Sequence, residues 1–343
     1  MAWLARLWAR TGIFTLALLP LAGLFSLLAG MRRLAYRRGW LASVAMGVPV
    51  VVVGNITAGG SGKTPLTIWL VEHLRRRGLR PGVVSRGYGG RARGCVEVGP
   101  ASDATMVGDE PLLVQRRTGV PVVVGRDRVA AVRTLLARHP GIDVVLSDDG
   151  LQHYRLRRDI ELAVVDASGG LGNGWPLPAG PLREPARRLR TVDAVVRVMR
   201  GGPEGRPLEV ASWRVDTRPG HAWRLLAPNE PCALSDLPRH DWLAVAGIGR
   251  PQAFFDMLAR AGLRFSPRAY PDHHAFQPGE LPAGHPVLMT EKDAVKCFAF
   301  AGTDWWAVSL DVAPEEGFAG WLGTRIPTTP RSGAHNERKG YVG

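Results

Sequence analysis

Cysteine is scarce in this chain, and the three residues present lie far apart. Cys95, Cys232 and Cys297 form no CxxC pair, and their number is odd. A disulfide framework needs paired cysteines, and a zinc site needs ligands at close spacing. The cysteine content therefore argues against both and indicates a reducing compartment.

Acidic residues are also few in comparison with basic ones. The 343 residues include 44 Lys and Arg against 30 Asp and Glu, which gives a formal net charge of +14 and a pI near 10.8. This excess predicts an anionic partner, which could be nucleic acid, anionic lipid or a phosphorylated substrate. The apolar content of 45% is ordinary, and the length is enough for two medium-sized cores.

One stretch, residues 11–30, has no charge at all and lies between arginines on both sides. As a helix it would be about 30 Å long, close to the hydrocarbon thickness of a bilayer. Thr15, Gly23, Ser26 and Gly30 recur near helical spacing, so one side could pack on protein while leucines meet lipid. A helix that crosses the membrane and a helix that lies in it are equal alternatives for this segment. A cleaved signal peptide and a buried helix are less favoured interpretations.

A glycine-rich loop after the apolar run Val50–Val53 predicts a phosphate site. Glycines allow backbone N–H groups to surround a phosphate, while Lys63 would bring a cation and Thr64 a hydroxyl for Mg²⁺. Thr57 stands where the general motif has its first glycine, so we interpret the loop as a variant P-loop. The expected nucleotide-binding residues are Thr57, Ala58, Gly59, Gly60, Ser61, Gly62, Lys63 and Thr64.

Short Val- and Ile-rich runs alternate with helical stretches from residue 50 to about 200. The runs are Val50–Val53, Gly82–Ser85, Pro121–Val124, Asp143–Ser147, Glu161–Asp166 and Ala194–Val198. They predict an α/β fold of the P-loop NTPase type, with a mostly parallel sheet and helices on both faces. The expected division is an N-terminal membrane-associated helix at 1–40, a P-loop domain at 41–206, a smaller C-terminal α/β domain at 207–328 and a flexible tail at 329–343.

Two adjacent carboxylates, Asp148 and Asp149, end one of these runs. This arrangement is typical of a Walker B element, in which an acid holds Mg²⁺, and either residue could be that ligand together with Thr64. Gln152 and His153 follow on the same turn and could contact substrate or phosphate. Asp109 precedes an apolar helical run, so its residue type and position alone favour a helix N-cap.

Together these motifs resemble those of one family, the tetraacyldisaccharide 4′-kinases of lipid A biosynthesis, which are membrane-associated enzymes of Gram-negative bacteria. Thr57, unusual in a general P-loop, is at home in this family. The resemblance covers most of the chain, through the N-terminal apolar helix and the segments Gly54–Pro65, Ser85–Gly90, Gly108–Pro111, Asp148–His153, Gly180–Pro185, Asp272–His273 and Met289–Ala294.

The resemblance implies transfer of the γ-phosphoryl group of ATP to the 4′-hydroxyl of a tetraacylated glucosamine disaccharide 1-phosphate, which gives lipid IVA. ATP and Mg²⁺ are the implied cofactors. The implied partners are this lipid substrate and the membrane surface, without nucleic acid, at the cytoplasmic face of the bacterial inner membrane. The main alternative is a membrane-bound P-loop ATPase switch acting on a protein partner, and a soluble small-molecule kinase with an incidental apolar N-terminus is the second.

The resemblance also assigns roles to single residues. Asp109 becomes the general base, with His273 paired to it, and this replaces the N-cap interpretation. The Asp-His order favours His273 over His274. Lys63 is the implied catalytic cation, and the implied substrate contacts are Arg86, Gln152, His153, Arg183 and Glu184.

Overall fold

Strands and helices alternate along the chain from residue 50 onward. The computed structural model describes residues 8, 11–202, 204–282 and 284–326, so the tail predicted at 329–343 lies outside the described residues. The strands are β1 (Val50–Gly54), β2 (Pro81–Ser85), β3 (Val96–Val98), β4 (Val122–Val124), β5 (Val144–Asp148), β6 (Ile160–Asp166), β7 (Ala194–Met199), β8 (Trp213–Arg224), β9 (Ala227–Cys232), β10 (Trp242–Ala246), β11 (Phe265–Ala269), β12 (Val287–Thr290) and β13 (Trp305–Pro314). The helices are α1 (Ile13–Ala17), α2 (Leu19–Arg37), α3 (Lys63–Arg76), α4 (Ala104–Val107), α5 (Asp109–Thr118), α6 (Arg128–Arg138), α7 (Pro251–Arg260), α8 (Glu291–Ala294) and α9 (Phe318–Arg325).

One sheet connects the two predicted α/β domains. Its order is β11-β10-β12-β13-β8-β7-β6-β1-β5-β2-β4-β3, with β9 paired to β8. Strand β8 joins the halves because it runs parallel to β7 on one side and antiparallel to β13 on the other. The predicted α/β class with a mostly parallel sheet is confirmed, while the domain boundaries stay a prediction.

Strand β1 lies at the centre of the first half and is buried at every position. Its side chains alternate between two cores: Val51 and Val53 pack with residues of α3 and α5, whereas Val50 and Val52 pack with residues of α6. Helices therefore cover both faces of the sheet, as parallel strands made of continuous valine runs require. The parallel register places the carboxyl ends of β1 and β5 side by side, with Val53 opposite Asp148.

The charge-free segment at 11–30 does not form the single helix that its length suggested. Helix α1 ends at Ala17, and α2 continues to Arg37, so it includes Arg32 and Arg33. Pro20 explains the break, because a proline fits the first turn of α2 but cannot continue the hydrogen bonding of α1. Within the described residues, no helix combines the length and the apolar character needed to cross a bilayer.

Four small residues of this segment were predicted to pack on protein, and the structure agrees at only two of them. Thr15 is buried and Ser26 is half-buried, but at Gly23 and Gly30 a Cβ would meet no atom within 4 Å. Among the described residues, these two glycines therefore have no packing partner, and Ala22 is the small residue of α2 that is buried. The opposite side carries apolar side chains that are each more than half exposed: Ile13, Phe14, Leu16, Leu21, Leu24, Leu27, Leu28 and Met31.

Candidate active site

The variant P-loop connects β1 to α3. Gly62 has a φ of 84°, and a Cβ at this position would lie 2.9 Å from Val198 Cγ1, so only glycine fits the turn. Lys63 begins α3, and its side chain is only 9% exposed. The hydroxyl oxygen of Ser61 is buried without a hydrogen-bond partner among the described residues. A buried cation and an unsatisfied hydroxyl at a helix N-terminus suit a bound phosphate.

The first residues of the loop pair with the chain near Arg183. The Ala58 N–H donates to the Pro181 carbonyl at 2.7 Å, and the Arg183 N–H donates to the Ile56 carbonyl at 2.7 Å. Thr57 forms an isolated bridge with Leu182. The motif at 180–185 therefore lies against the P-loop, although it is more than 100 residues further along the chain.

The two carboxylates after β5 occupy different environments. Asp148 is buried and accepts long hydrogen bonds from Thr67 Oγ1 at 3.5 Å and Ser85 Oγ at 3.4 Å. Burial, together with the Glu110 carboxylate, raises the pKa of Asp148 to about 7. Asp149 lies 3.4 Å from Lys63 Nζ and 3.3 Å from an Arg183 nitrogen. Burial alone would raise the pKa of Asp149, but the two cations outweigh burial and lower this pKa.

Asp109 and His273 come from opposite halves of the molecule and meet directly. Asp109, at the start of α5, is 5% exposed, and its Oδ2 lies 2.9 Å from His273 Nδ1. The hydrogen bond to Asp109 raises the pKa of His273. Burial works against ionisation of Asp109, yet His273 and Lys292 lower the pKa of this carboxyl. His274 instead lies 2.7 Å from Glu280, so the structure distinguishes the two histidines.

Lys292, in α8, is a charged neighbour of this pair that the sequence analysis missed. Its Nζ lies 3.1 Å from Glu110 Oε1 and 3.3 Å from Asp272 Oδ1. Burial alone would lower the pKa of Lys292. The carboxylates of Glu110, Asp109 and Asp272 outweigh burial and raise this pKa. The segment Met289–Ala294 was recognised as a motif, but nothing in its spacing showed that its lysine reaches the first half.

The predicted substrate contacts do not form one group. Gln152 Nε2 donates to Glu184 Oε1 at 2.8 Å, and Glu184 is buried beside Arg188 at 3.3 Å. His153 Nε2 accepts the Arg128 backbone N–H at 3.4 Å. Arg86 is exposed, and it lines a separate hollow of about 220 Å³ that also includes Tyr88 and Arg126.

A cleft of about 480 Å³ lies between the two halves. One side is the P-loop, from Gly60 to Pro65, and the other includes the apolar side chains of Ile248, Phe254 and Met257. Arg200, which the sequence analysis also missed, lines the cleft and donates to the Gly60 carbonyl at 3.2 Å. The volume and the apolar wall suit a nucleotide with its phosphates at the loop.

Comparisons with known proteins agree with one another. A sequence profile described as LpxK, tetraacyldisaccharide-1-P 4′-kinase, matches residues 14–327. The tetraacyldisaccharide 4′-kinase of Thiobacillus denitrificans is 64% identical over 94% of this chain and 98% of its own length. That of an Azoarcus species is 54% identical over 87% of this chain and 88% of its own. The LpxK of Aquifex aeolicus, solved in complex with ATP, has 26% identity and a TM-score of 0.79, covering 92% of this chain and 100% of that one.

Proposed function

The chain belongs to the tetraacyldisaccharide-1-P 4′-kinase family and is an ATP-dependent lipid kinase of lipid A biosynthesis; we propose that the two sides of its cleft divide the reaction between them. The enzyme transfers the γ-phosphoryl group of ATP to the 4′-hydroxyl of tetraacyldisaccharide 1-phosphate. The alternatives of an ATPase switch and of a soluble small-molecule kinase are therefore set aside. In this proposal the first half holds the donor, and residues of both halves activate the acceptor.

The donor side is the P-loop with its neighbouring acids. ATP places its phosphates against Gly59–Thr64, with Lys63 at the β- and γ-phosphate oxygens and the base toward the apolar wall of the cleft. The Aquifex relative solved with ATP supports this use of the cleft. Thr64, Asp148 and Asp149 are the oxygen donors that would hold Mg²⁺.

The donor set fits a divalent cation for an electrostatic reason. Asp148 is buried beside two other carboxylates, Glu110 and Asp149, and this raises its pKa to about 7. A nearby cation would offset that repulsion and keep Asp148 ionised. When bound, Mg²⁺ would supply charge neutralisation for the phosphate oxygens.

The acceptor side is the pair of Asp109 and His273. The 4′-oxygen attacks the γ-phosphorus, a bond forms between them, and the bond from the γ-phosphorus to the departing ADP oxygen breaks. The Asp109 carboxylate accepts the hydroxyl proton, and His273 donates to this carboxylate from Nδ1 and holds it in place. A positioned base of this kind contributes roughly 10²–10⁴-fold to the rate.

The observation that carries the proposal is the contact between Asp109 and His273, two residues 164 positions apart that lie 2.9 Å from each other. Their neighbours Glu110 and Asp272 both line the cleft, so the pair lies beside the donor site. The lowered pKa of Asp109, caused by His273 and Lys292 against burial, leaves the carboxylate ionised and able to accept a proton.

A thin-layer assay with labelled ATP and the disaccharide lipid in detergent tests this assignment. We expect wild-type enzyme to label the lipid and Asp109→Asn to do so roughly 10²–10⁴-fold more slowly, with ATP affinity nearly unchanged. Asp272→Asn is the matched control, because it also removes a carboxylate beside Lys292 but not the one that contacts His273 Nδ1. Wild-type transfer by Asp109→Asn would disprove the role of Asp109 as the base.

We also propose that α1 and α2 rest on the cytoplasmic face of the inner membrane and bring the acceptor lipid to the cleft. Their outer side is apolar, and exposed arginines such as Arg32 and Arg37 would face anionic headgroups. The inner side contacts the first half: Arg33 Nη2 donates to Thr191 Oγ1 at 2.6 Å, and the ring of Tyr36 lies 6.0 Å from that of Tyr154.

Vesicle sedimentation with anionic lipid tests the membrane contact. Leu28 is 58% exposed on α2, and Leu226 is 57% exposed in the turn between β8 and β9. We expect Leu28→Asp to weaken binding roughly 10- to 100-fold, because one buried leucine contributes about 1.5–3 kcal/mol. Leu226→Asp should bind as wild type. Equal binding by all three proteins would exclude this face as the contact.

A further inference from the structure

Arg200 contacts the P-loop directly, although the reaction as described so far gives it no part. It follows the last residue of β7, and its Nη1 donates to the Gly60 carbonyl at 3.2 Å. Its side chain is 15% exposed, and the same nitrogen lies 3.6 Å from Asp166 Oδ2 at the end of β6. The other oxygen of Asp166 accepts hydrogen bonds from the Ser168 N–H and from Arg250, each at 3.0 Å. The guanidinium of Arg200 is therefore fixed between the loop and a carboxylate that is itself held in place.

Gly60 lies in a stretch where the backbone turns easily. Gly59 has a φ of 114° and Gly62 a φ of 84°, and glycine adopts such positive values about as readily as negative ones. In a trans peptide the C=O and the following N–H point in opposite directions. If the Gly60 carbonyl turned toward a bound phosphate, it would repel the anion, and the Ser61 N–H would point away from it. The orientation of this one peptide therefore matters for phosphate binding.

The end of β7 covers the outer side of the loop. A Cβ on Gly62 would lie 2.9 Å from Val198 Cγ1, and a Cβ on Gly60 would lie 4.0 Å from Arg200 Nη1. The Gly60 carbonyl faces this same side, because Arg200 is its donor. The N–H of the same peptide therefore faces away from β7.

The preceding peptide is held in a similar way. The Gly59 carbonyl accepts a hydrogen bond from Asn55 Nδ2 at 3.2 Å, and the Asn55 side chain is buried. Two successive carbonyls, those of Gly59 and Gly60, thus each bind a side-chain donor. The N–H groups that share their peptides belong to Gly60 and Ser61 and point away from those donors. Successive N–H groups that are free of the surrounding donors suit a phosphate cradle.

We propose that Arg200 is a positioning residue for the phosphate cradle: by holding the Gly60 carbonyl, it keeps the Ser61 N–H turned toward the phosphates of ATP. The inference rests on the proposed place of those phosphates at the P-loop. The guanidinium is already engaged by a backbone oxygen, and Asp166 offsets its charge. Arg200 therefore acts on ATP through the loop and not as a further phosphate ligand.

ATP binding in the absence of the acceptor lipid tests the inference with the full chain in detergent. In titration calorimetry we expect Arg200→Met to bind ATP roughly tenfold more weakly, because ATP must then order the peptide that the lost hydrogen bond had held. AMP should bind with unchanged affinity, since it has no β- or γ-phosphate for the loop to surround. The KM for ATP should rise by a similar factor while kcat for lipid phosphorylation stays nearly constant, since Lys63, Asp109 and His273 are untouched.

Two further variants separate this role from a general effect of removing an arginine. Arg200→Lys should recover part of the affinity, because an ammonium group also donates to a carbonyl. Arg197→Met is the matched control, since Arg197 belongs to the same strand but pairs with Glu204 at 3.5 Å, and it should bind ATP as wild type does. If Arg200→Met does not fold, the titrations are made with Arg200→Gln, for which we expect the same direction.

The amide of Ser61 reports the orientation of the peptide directly. In deuterated enzyme labelled with ¹⁵N-serine, with Ser61→Ala used to assign the signal, we expect ATP to move the Ser61 N–H proton signal downfield, because this group then donates to a phosphate oxygen. In Arg200→Met without ATP the same signal should broaden, because the peptide then samples both orientations.

Wild-type ATP affinity in Arg200→Met would overturn the inference, as would an equal weakening of AMP, which would assign Arg200 to the base or the sugar. Weaker ATP binding with an unchanged Ser61 signal would also overturn it and would make Arg200 a direct phosphate ligand. The proposed function is tested separately. Unchanged ATP affinity in Lys63→Met as well would contradict the proposed donor site, whereas a loss in Lys63→Met alone would remove only the role of Arg200.

Discussion

The two halves of the molecule satisfy their charges in different ways. Around the P-loop the pairing stays within the first half, where Asp149 lies 3.4 Å from Lys63 and 3.3 Å from Arg183. The charged residues that the second half contributes pair across the cleft, as His273 does with Asp109 and Lys292 with Glu110. In the proposed mechanism, phosphate binding is therefore preformed in one half, while activation of the acceptor depends on contact between the halves.

Further ion pairs hold the halves in contact. Arg117 of α5 lies 2.8 Å from Glu291 and 2.6 Å from Asp311 of the second half. On the far side of the cleft, Arg250 lies 3.0 Å from Asp166 at the end of β6. The geometry of the dyad therefore depends on several charged contacts that are distant from the P-loop in sequence.

The largest effect should come from the preformed side. We expect Lys63→Met to lower lipid phosphorylation by about 10³-fold or more and to weaken ATP binding, because the loop loses its cation at the phosphate oxygens. Lipid phosphorylation and ATP titration calorimetry measure the two effects. Unchanged ATP affinity would mean that Lys63 serves mainly to pair Asp149.

A smaller effect should come from the contact across the cleft. We expect His273→Gln to lower kcat about 10²-fold, because Asp109 loses the group that orients it, while the KM for ATP stays nearly constant. His274→Gln is the matched control, since His274 pairs with Glu280 and not with Asp109. A weaker effect in His273→Gln than in His274→Gln would contradict the comparison between the halves.

The third effect is on stability, not on catalysis, and depends on pH. Burial and Glu110 raise the pKa of Asp148 from 3.8 to about 7, so its contribution to stability is fully present below about pH 4 and is lost as the pH rises to 7. In thermal unfolding without Mg²⁺, the free energy of unfolding of Asp148→Asn should equal that of wild type at pH 4. At pH 7 and above, the free energy of unfolding of the variant should be larger by roughly a few kcal/mol.

Asp149→Asn should show the opposite sign. Burial alone would raise the pKa of Asp149, but pairing with Lys63 and Arg183 outweighs burial and lowers it. This stabilisation is present above the unfolded pKa and is lost as the pH falls through the folded value. The substitution should therefore destabilise the protein at pH 7 and have little effect in strong acid. The same sign for both variants would show that the two carboxylates do not differ in environment.

Local pattern predicted much of the fold and the strand–loop elements that carry the candidate donor side. The valine runs and the glycine-rich loop identified β1 and the P-loop, and the order of strand and acids identified Asp148 and Asp149. These features lie within a few residues of one another, so periodicity and residue type are sufficient. The pairing of Asp109 with His273 came from resemblance to a family, because no spacing in the chain relates residues 164 apart.

Apolar content by itself does not determine burial. Residues 11–30 and the run Val50–Val53 are both apolar, yet Val51 is fully buried while Leu28 is 58% exposed. Pro20 ended the first of two helices where hydropathy alone predicted one. The contacts of Lys292 were missed for a similar reason, since its partners Glu110 and Asp272 are distant in the chain.

The amino-acid sequence by itself determined the alternation of strands and helices and the glycine-rich loop between β1 and α3, because these follow from side-chain periodicity and backbone freedom over short stretches. Only the tertiary structure decided which histidine meets Asp109, which of the two adjacent acids pairs with Lys63 and Arg183, and where Lys292 lies. Those outcomes depend on burial and on the charges of distant segments, which become neighbours only when the sheet joins the two halves.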